Sequence, residues 1–139
     1  MSKTTHPRLR FQSRELCATC LSCVTACALH SADTISPDSA RIRIEFDAFT
    51  GDHTARFCRH CDKPVCVEAC DKGAIIKDQK TEIVRIERAL CDGCGQCIDT
   101  CPFGALFWDS SVGQVIKCDL CGGNPRCVDA CRFGVLTYE

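Results

Sequence analysis

Large aromatic side chains are scarce in this chain. Seven Phe, one Trp and one Tyr serve 139 residues, with a single Met. Aromatics supply much of the buried area in small domains, so an ordinary apolar core of this size is not expected. No stretch approaches the ~20 apolar residues of a membrane span, which argues against direct membrane insertion. Met1 to Arg14 holds no apolar signal core, and Arg8-Leu9-Arg10 is not a twin-arginine pair. The chain is therefore expected in the cytoplasm, where disulfides do not persist. A strong basic excess is lacking too: the formal charge is −1. Nucleic acid is thus not expected as a partner. Also missing are a nucleophile–base pair, a phosphate-binding loop and the signature of a substrate pocket. By itself the chain reads as no enzyme.

Cysteine is what the chain has in plenty. Its sixteen cysteines fall into four groups of four: Cys17-Cys20-Cys23-Cys27, Cys58-Cys61-Cys66-Cys70, Cys91-Cys94-Cys97-Cys101 and Cys118-Cys121-Cys127-Cys131. Four thiolates per cubane make this the ligand count for four [4Fe-4S] clusters. The third group, followed by Pro102, has the bacterial ferredoxin spacing residue for residue. In that spacing three thiolates wrap one cubane, and the fourth points to a neighbouring cluster. The first group repeats the spacing without the proline. The second and fourth stretch only the middle gap, Cys61 to Cys66 and Cys121 to Cys127. Structural zinc needs two separated cysteine pairs per ion and has no use for a third cysteine two residues on. A thioredoxin-type motif needs a βαβ frame that is not present.

A finer repeat marks the groups as copies of one unit. A β-branched residue follows each third cysteine, at Val24, Val67, Ile98 and Val128, and is expected to pack on the clusters. Three units place glycine three residues after the last cysteine, at Gly73, Gly104 and Gly134, where the backbone must turn close to sulfur. The first has His30 there, so its chain is expected to leave differently. Small hairpins should follow units two and three, around Asp78-Gln79-Lys80 and Asp109 to Gly113. An insert at about 40–57 alternates as Arg41-Ile42-Arg43-Ile44-Glu45-Phe46 before a Thr50-Gly51-Asp52 turn, the pattern of an extra hairpin. Sixteen loaded thiolates bring the charge to about −9 by counting. Lys3, Arg8, Arg10 and Arg14 read as a solvated or loosely docked tail, and His53 and His60 as surplus solvent histidines. Lys117 fits either a cluster neighbour or an ordinary strand end, and Trp108 fits packing better than a relay.

The four motifs, the long first insert and the Lys117-Cys118-Asp119-Leu120-Cys121 run resemble the four-cluster ferredoxin subunits of multi-subunit oxidoreductases. That family includes the iron–sulfur subunits of dimethyl sulfoxide reductase and formate dehydrogenase. It also includes the small partners of tungsten aldehyde oxidoreductases and benzoyl-CoA reductases, and hydrogenase or carbon monoxide dehydrogenase partners. The similarity runs from Leu16 to the C-terminus, and the short Gly122-Gly123-Asn124-Pro125 link most resembles the tungsten enzyme partners. Asp71 and Arg132 stand where the family often has proline, which should alter the local backbone.

The resemblance implies an α+β fold: two pseudo-symmetric bacterial-type dicluster ferredoxin modules, with short helices and small β-hairpins around four [4Fe-4S] clusters. The outer module would take about 15–30 plus 115–139 and the inner about 55–114, in one unit of 1–139. It also implies nested pairing of motifs. Cluster one would take Cys17, Cys20, Cys23 and Cys131, and cluster two Cys27, Cys118, Cys121 and Cys127. Cluster three would take Cys58, Cys61, Cys66 and Cys101, and cluster four Cys70, Cys91, Cys94 and Cys97. Sequential pairing of neighbouring motifs satisfies all sixteen as well. The implied role is a relay of single electrons between a catalytic subunit, of tungsten or molybdenum pterin type, and a second partner. That partner would be a flavoprotein, a ferredoxin or another copy of the chain. A free polyferredoxin, a cluster-based redox sensor and a zinc-stapled module are the other readings.

Overall fold

Each cysteine group builds the same local piece, a loop followed by a helix that opens one residue before the third cysteine. The computed structural model describes residues 7–12 and 15–139. Its helices are α1 (Ser22–Ala32), α2 (Val65–Ala69), α3 (Gln96–Thr100) and α4 (Arg126–Ala130). The middle gap decides how each helix is entered. Groups one and three have only two residues there and turn through a left-handed one, Leu21 (φ 62) or Gly95 (φ 75). The stretched gaps of groups two and four place Pro64 and Pro125 directly before the helix, where their extended backbone forms the N-cap.

The helix ends follow the repeat as well. Cys70, Cys101 and Cys131 close α2, α3 and α4 in an extended conformation. The three following glycines, Gly73, Gly104 and Gly134, have φ of 62, 59 and 65. Asp71 and Arg132 thus leave the backbone path unchanged, contrary to expectation, because the left-handed glycine rather than the proline sets the exit. Where His30 replaces glycine, α1 runs on past Cys27 to Ala32 and stops at Asp33, itself left-handed at φ 53. The chain does leave the first unit differently.

Among the described residues strands come only in antiparallel pairs. Strand β1 (Leu9–Phe11) pairs with β8 (Leu136–Tyr138), and β2 (Arg43–Phe46) with β3 (His53–Arg56). Strand β4 (Ile75–Lys77) pairs with β5 (Val84–Ile86), and β6 (Phe107–Asp109) with β7 (Gln114–Ile116). The last three pairs are the hairpins read from the sequence. The first is not a hairpin and corrects the expected loose tail: Leu9 is buried and sits opposite Tyr138 in register. Arg8 donates to the carbonyls of Arg59 (2.8 Å) and His60 and to Asp62 Oδ1 (2.9 Å). The physical reason is the alternation Arg8-Leu9-Arg10-Phe11, which puts two apolar side chains on one strand face. Lys3 and Arg14 lie outside the described residues.

Helix α1 packs on α4 and α2 on α3, so motif one meets motif four and motif two meets motif three. Two small groups of buried side chains result. The larger gathers Leu9, Val24, Ala28, Ile42, Phe57, Leu120 and Leu136; the smaller gathers Ile75, Val84, Leu106 and Val115. The insert belongs to the first through Ile42, Ala55 and Phe57, and its Arg56 donates to Gly104 O at 2.6 and 2.9 Å. Arg43 stacks 4.2 Å over Phe107. The β2–β3 base thereby clamps the two cysteine-rich halves together. Its tip is open, with Phe49 100% exposed. The result is a small α+β ferredoxin-like fold.

Candidate metal centres

Twelve of the cysteines line three cavities, four to each, three from one motif and one from that motif's packed partner. One cavity is lined by Cys17, Cys20, Cys23 and Cys131, with Phe11, Ile44 and Leu136. A second is lined by Cys58, Cys61, Cys66 and Cys101, with Val84, Leu106 and Lys117. A third is lined by Cys70, Cys91, Cys94 and Cys97, with Ile75, Ile86 and Val115. Of the remaining four, Cys27, Cys118 and Cys127 are buried in the larger core, and Cys127 feels Cys118, Cys27 and Cys121 ahead of Cys23. All sixteen are free thiols.

The donors suit a multi-iron cluster rather than one ion. Among the described residues no three His, Cys, Asp or Glu side chains converge closely enough to hold a single metal. A zinc tetrahedron with Zn–S of ~2.3 Å would need such convergence. Cubane thiolates each bind a different iron and stand further apart. Apolar walls press on the sulfurs: burial pushes Cys23 and Cys97 up to about 11 and Cys118 to about 12. Metal must therefore displace protons to bind here.

The sets also adjoin one another in order. Cys23 of the first lies within electrostatic reach of Cys127, and Cys58 within reach of Cys118. Cys66 stands likewise beside Cys97. The sequence of neighbours is first set, core set, then those of Cys58 and of Cys91. Only Cys20 and Cys94, in the two outermost sets, are exposed.

Backbone geometry holds the loops open toward these cavities. The residue before each second cysteine is left-handed: Thr19 (φ 52), His60 (φ 47), Gly93 (φ 78) and Leu120 (φ 57). Three of these are not glycine, at a cost of about 1–2 kcal/mol each. Such turns aim successive N–H groups inward as an anion cradle. His60 N donates to Cys58 Sγ (3.3 Å) and Leu120 N to Cys118 Sγ (3.3 Å). Ala74 N reaches Cys70 Sγ at 3.4 Å, and Arg41 N, from the insert, reaches Cys27 Sγ at 3.1 Å. Sequence reading missed the shared conformation because Thr, His and Leu do not announce it; Gly93 alone carried the signal.

Residues 49–139 match the 4Fe-4S dicluster domain family. The chain belongs to that family. Its cofactors are [4Fe-4S] clusters, and the cysteine-lined cavities fit them. The chain is 39% identical over 106 residues to a tetrathionate reductase subunit of Archaeoglobus fulgidus, covering 75% of this chain and 50% of that protein. It is 37% identical over 104 residues to the polyferredoxin-like subunit of the Pyrococcus furiosus aliphatic sulfonate oxidoreductase, covering 75% and 60%. Thiosulfate reductase electron transfer subunit PhsB of Salmonella typhi is 26% identical over 127 residues, covering 86% and 65%. The chain spans about half the length of the first of these.

One polar residue of this dicluster protein differs from expectation, and Lys117 falls on the cluster-neighbour side of its two readings. His60 is no solvent histidine: it is 2% exposed, and its Nδ1 accepts the Val84 N–H at 3.0 Å. Burial first, then the charges of Lys117, Arg8 and Lys77, hold the imidazole down to about 3. Lys117 is equally buried and donates to the carbonyls of Val84 and Cys118. Together they satisfy the outward N–H and C=O of Val84 on the free edge of β5, which explains how a two-stranded edge can be buried. His53 stays at the hairpin, half-buried, with Nδ1 3.3 Å from Gly51 O. Trp108 is largely open, its ring lying against Gly93. No helix among the described residues is long and apolar enough to cross a membrane.

Proposed function

We propose that the chain is the electron-transfer subunit of a multi-subunit oxidoreductase, carrying four [4Fe-4S] clusters and no catalytic site of its own. Its ligand sets are Cys17, Cys20, Cys23, Cys131; Cys27, Cys118, Cys121, Cys127; Cys58, Cys61, Cys66, Cys101; and Cys70, Cys91, Cys94, Cys97. Two pseudo-symmetric modules, motifs one with four and two with three, place the sets in a line. Each bound cluster takes up and gives on one electron, its core alternating between 2+ and 1+. The chain's own residues fix the spacing, exclude water with apolar walls and stabilise thiolate charge by backbone N–H bonds.

The observation that carries this reading is the succession of neighbouring cysteines, Cys23 by Cys127, Cys118 by Cys58 and Cys66 by Cys97, with exposed cysteines at the two ends. A site for storage or folding alone has no need of such an order. The relatives' names, as reductase and oxidoreductase subunits, support a catalytic partner. We assign that partner to the tungsten or molybdenum pterin type, and the second to a flavoprotein, a ferredoxin or another copy of the chain, in the cytoplasm. A loaded chain this negative docks best on complementary positive surfaces.

A metal inventory of the complex, purified without oxygen, tests the proposal. About sixteen irons per chain with tungsten or molybdenum are expected. Iron alone would favour a free polyferredoxin, and zinc in place of iron would overturn the assignment. Cys101→Ser tests the ligand sets: it should damage the cluster of Cys58, Cys61 and Cys66. Loss instead of the Cys91, Cys94 and Cys97 signal by EPR would sink the nested pairing.

A further inference from the structure

Lys117 is a buried amine in an unusual position. It is 2% exposed, and among the described residues no carboxylate pairs with it. Its Nζ donates to Val84 O and, at 2.7 Å, to Cys118 O. Two carbonyls satisfy hydrogens but do not neutralise a charge, and an ammonium taken out of water without an anion is costly. The anions at hand are thiolates. Lys117 lines the cavity of Cys58, Cys61, Cys66 and Cys101, and its charge is felt by Cys66 on one side and Cys118 on the other. It therefore stands where the two middle ligand sets adjoin.

The surroundings of the sets differ in sign. Around the Cys58–Cys61 loop, Arg8 donates to the carbonyls of Arg59 and His60, and Lys77 Nζ to those of Cys61 (3.1 Å) and Asp62 (3.0 Å). The cavity of Cys17, Cys20, Cys23 and Cys131 is lined by no charged side chain. That of Cys91 is lined by Lys72 and Asp92, which pair with each other at 3.8 Å and largely cancel. Arg8 is itself paired with Asp62 and Glu82, and Arg132 bears on the exposed Cys20, so the buried positive charge left without a carboxylate is Lys117, at the middle of the line. A 2+ core on four thiolates carries a charge of about −2, and one added electron makes it about −3. A cation fixed in a low-dielectric site favours the more negative state.

We propose that Lys117 is the buried counter-cation of the two middle clusters, making them the most readily reduced of the four, so that electrons entering at either end collect at the centre. This rests on the ligand sets proposed above and deepens them by assigning relative potentials. The ends would then be the low-potential contacts with partners, and Lys117 a positioning residue for charge rather than a ligand.

The test uses the full chain, loaded with iron and sulfide without oxygen, as wild type, Lys117→Met and Lys117→Arg. Iron content is measured together with EPR-monitored reductive titration. In Lys117→Met the two highest midpoints should fall, with at least a tenfold lower reduced-to-oxidised ratio at fixed potential, equivalent to about 59 mV for one electron. The two lower midpoints should stay, and Lys117→Arg should keep all four near wild type. Full iron with unmoved midpoints in Lys117→Met, or an equal shift of all four, overturns the proposal. If Lys117→Met loads poorly, the arginine variant decides. Recovery of iron and midpoints by arginine supports a charge role, and equal failure of both variants assigns the amine a packing role and overturns it. A wild-type chain that takes up no iron would instead defeat the cluster assignment itself.

Discussion

Adding one methyl group at Gly93 should loosen a single metal centre. Gly93 sits between Cys91 and Cys94 at φ +78, and a Cβ there would lie 2.7 Å from the Gly113 carbonyl oxygen and 3.2 Å from the Trp108 ring. Two costs add in Gly93→Ala. The left-handed backbone costs an alanine about 1–2 kcal/mol. Pushing against a backbone oxygen, which cannot swing aside as a side chain could, adds roughly 1–3 kcal/mol. A total near ~3 kcal/mol raises the local opening equilibrium more than a hundredfold, at 1.4 kcal/mol per factor of ten. Gly51→Ala is the control: Gly51 has φ +75 and open space around it, so it pays the backbone cost alone. The assay is the rate at which an excess chelator removes iron from the loaded chain under nitrogen, which follows the opening equilibrium while reclosing is fast. Gly93→Ala should release about four irons in a fast phase and Gly51→Ala none. Identical rates for the two variants would refute the reasoning, since they share the backbone cost and differ only in the contact. Trp108→Ala on top of Gly93→Ala should rescue little, because the nearer contact is the carbonyl.

Phe57 is 1% exposed at the heart of the larger core. In a chain this poor in aromatics Phe57→Ala should cost about 3–5 kcal/mol, read as a large drop in thermal midpoint and in cluster yield together. Arg56→Ala removes both bonds to Gly104 O and the contact with the Phe107 ring, 5.4 Å away. A loss of about 1–3 kcal/mol is expected, seen as faster amide exchange confined to β2 and β3; exchange rising throughout the chain would show that the clamp is not local.

The cysteine groups that line the cavities were legible in the sequence because cysteine spacing is a local property. Cys-x2-Cys-x2-Cys can be read without knowing what lies across from it, and so could the hairpins, since Ile75 to Lys77 and Val84 to Ile86 meet through a turn of their own. The insert was legible for the same reason, through strict alternation from Arg41 to Phe46. Even the absence of glycine at position 30 foretold that the chain would leave the first unit differently.

What the sequence could not supply depends on residues far apart in the chain. Strand β1 was missed because its partner β8 lies at the other end, and nothing local distinguishes three alternating residues from a tail. His60 and Lys117 are polar types that ordinarily face water. Only the meeting of motif two with β5 and motif four buries them, and it does so because Val84 offers a free N–H and C=O that need partners. The left-handed turns at Thr19 and Leu120 go against residue preference and are imposed by four sulfurs that must face inward. The meeting of motif one with four and of two with three is likewise tertiary. Local spacing determines which side chains can bind metal; long-range packing determines which of them stand together, and in what order.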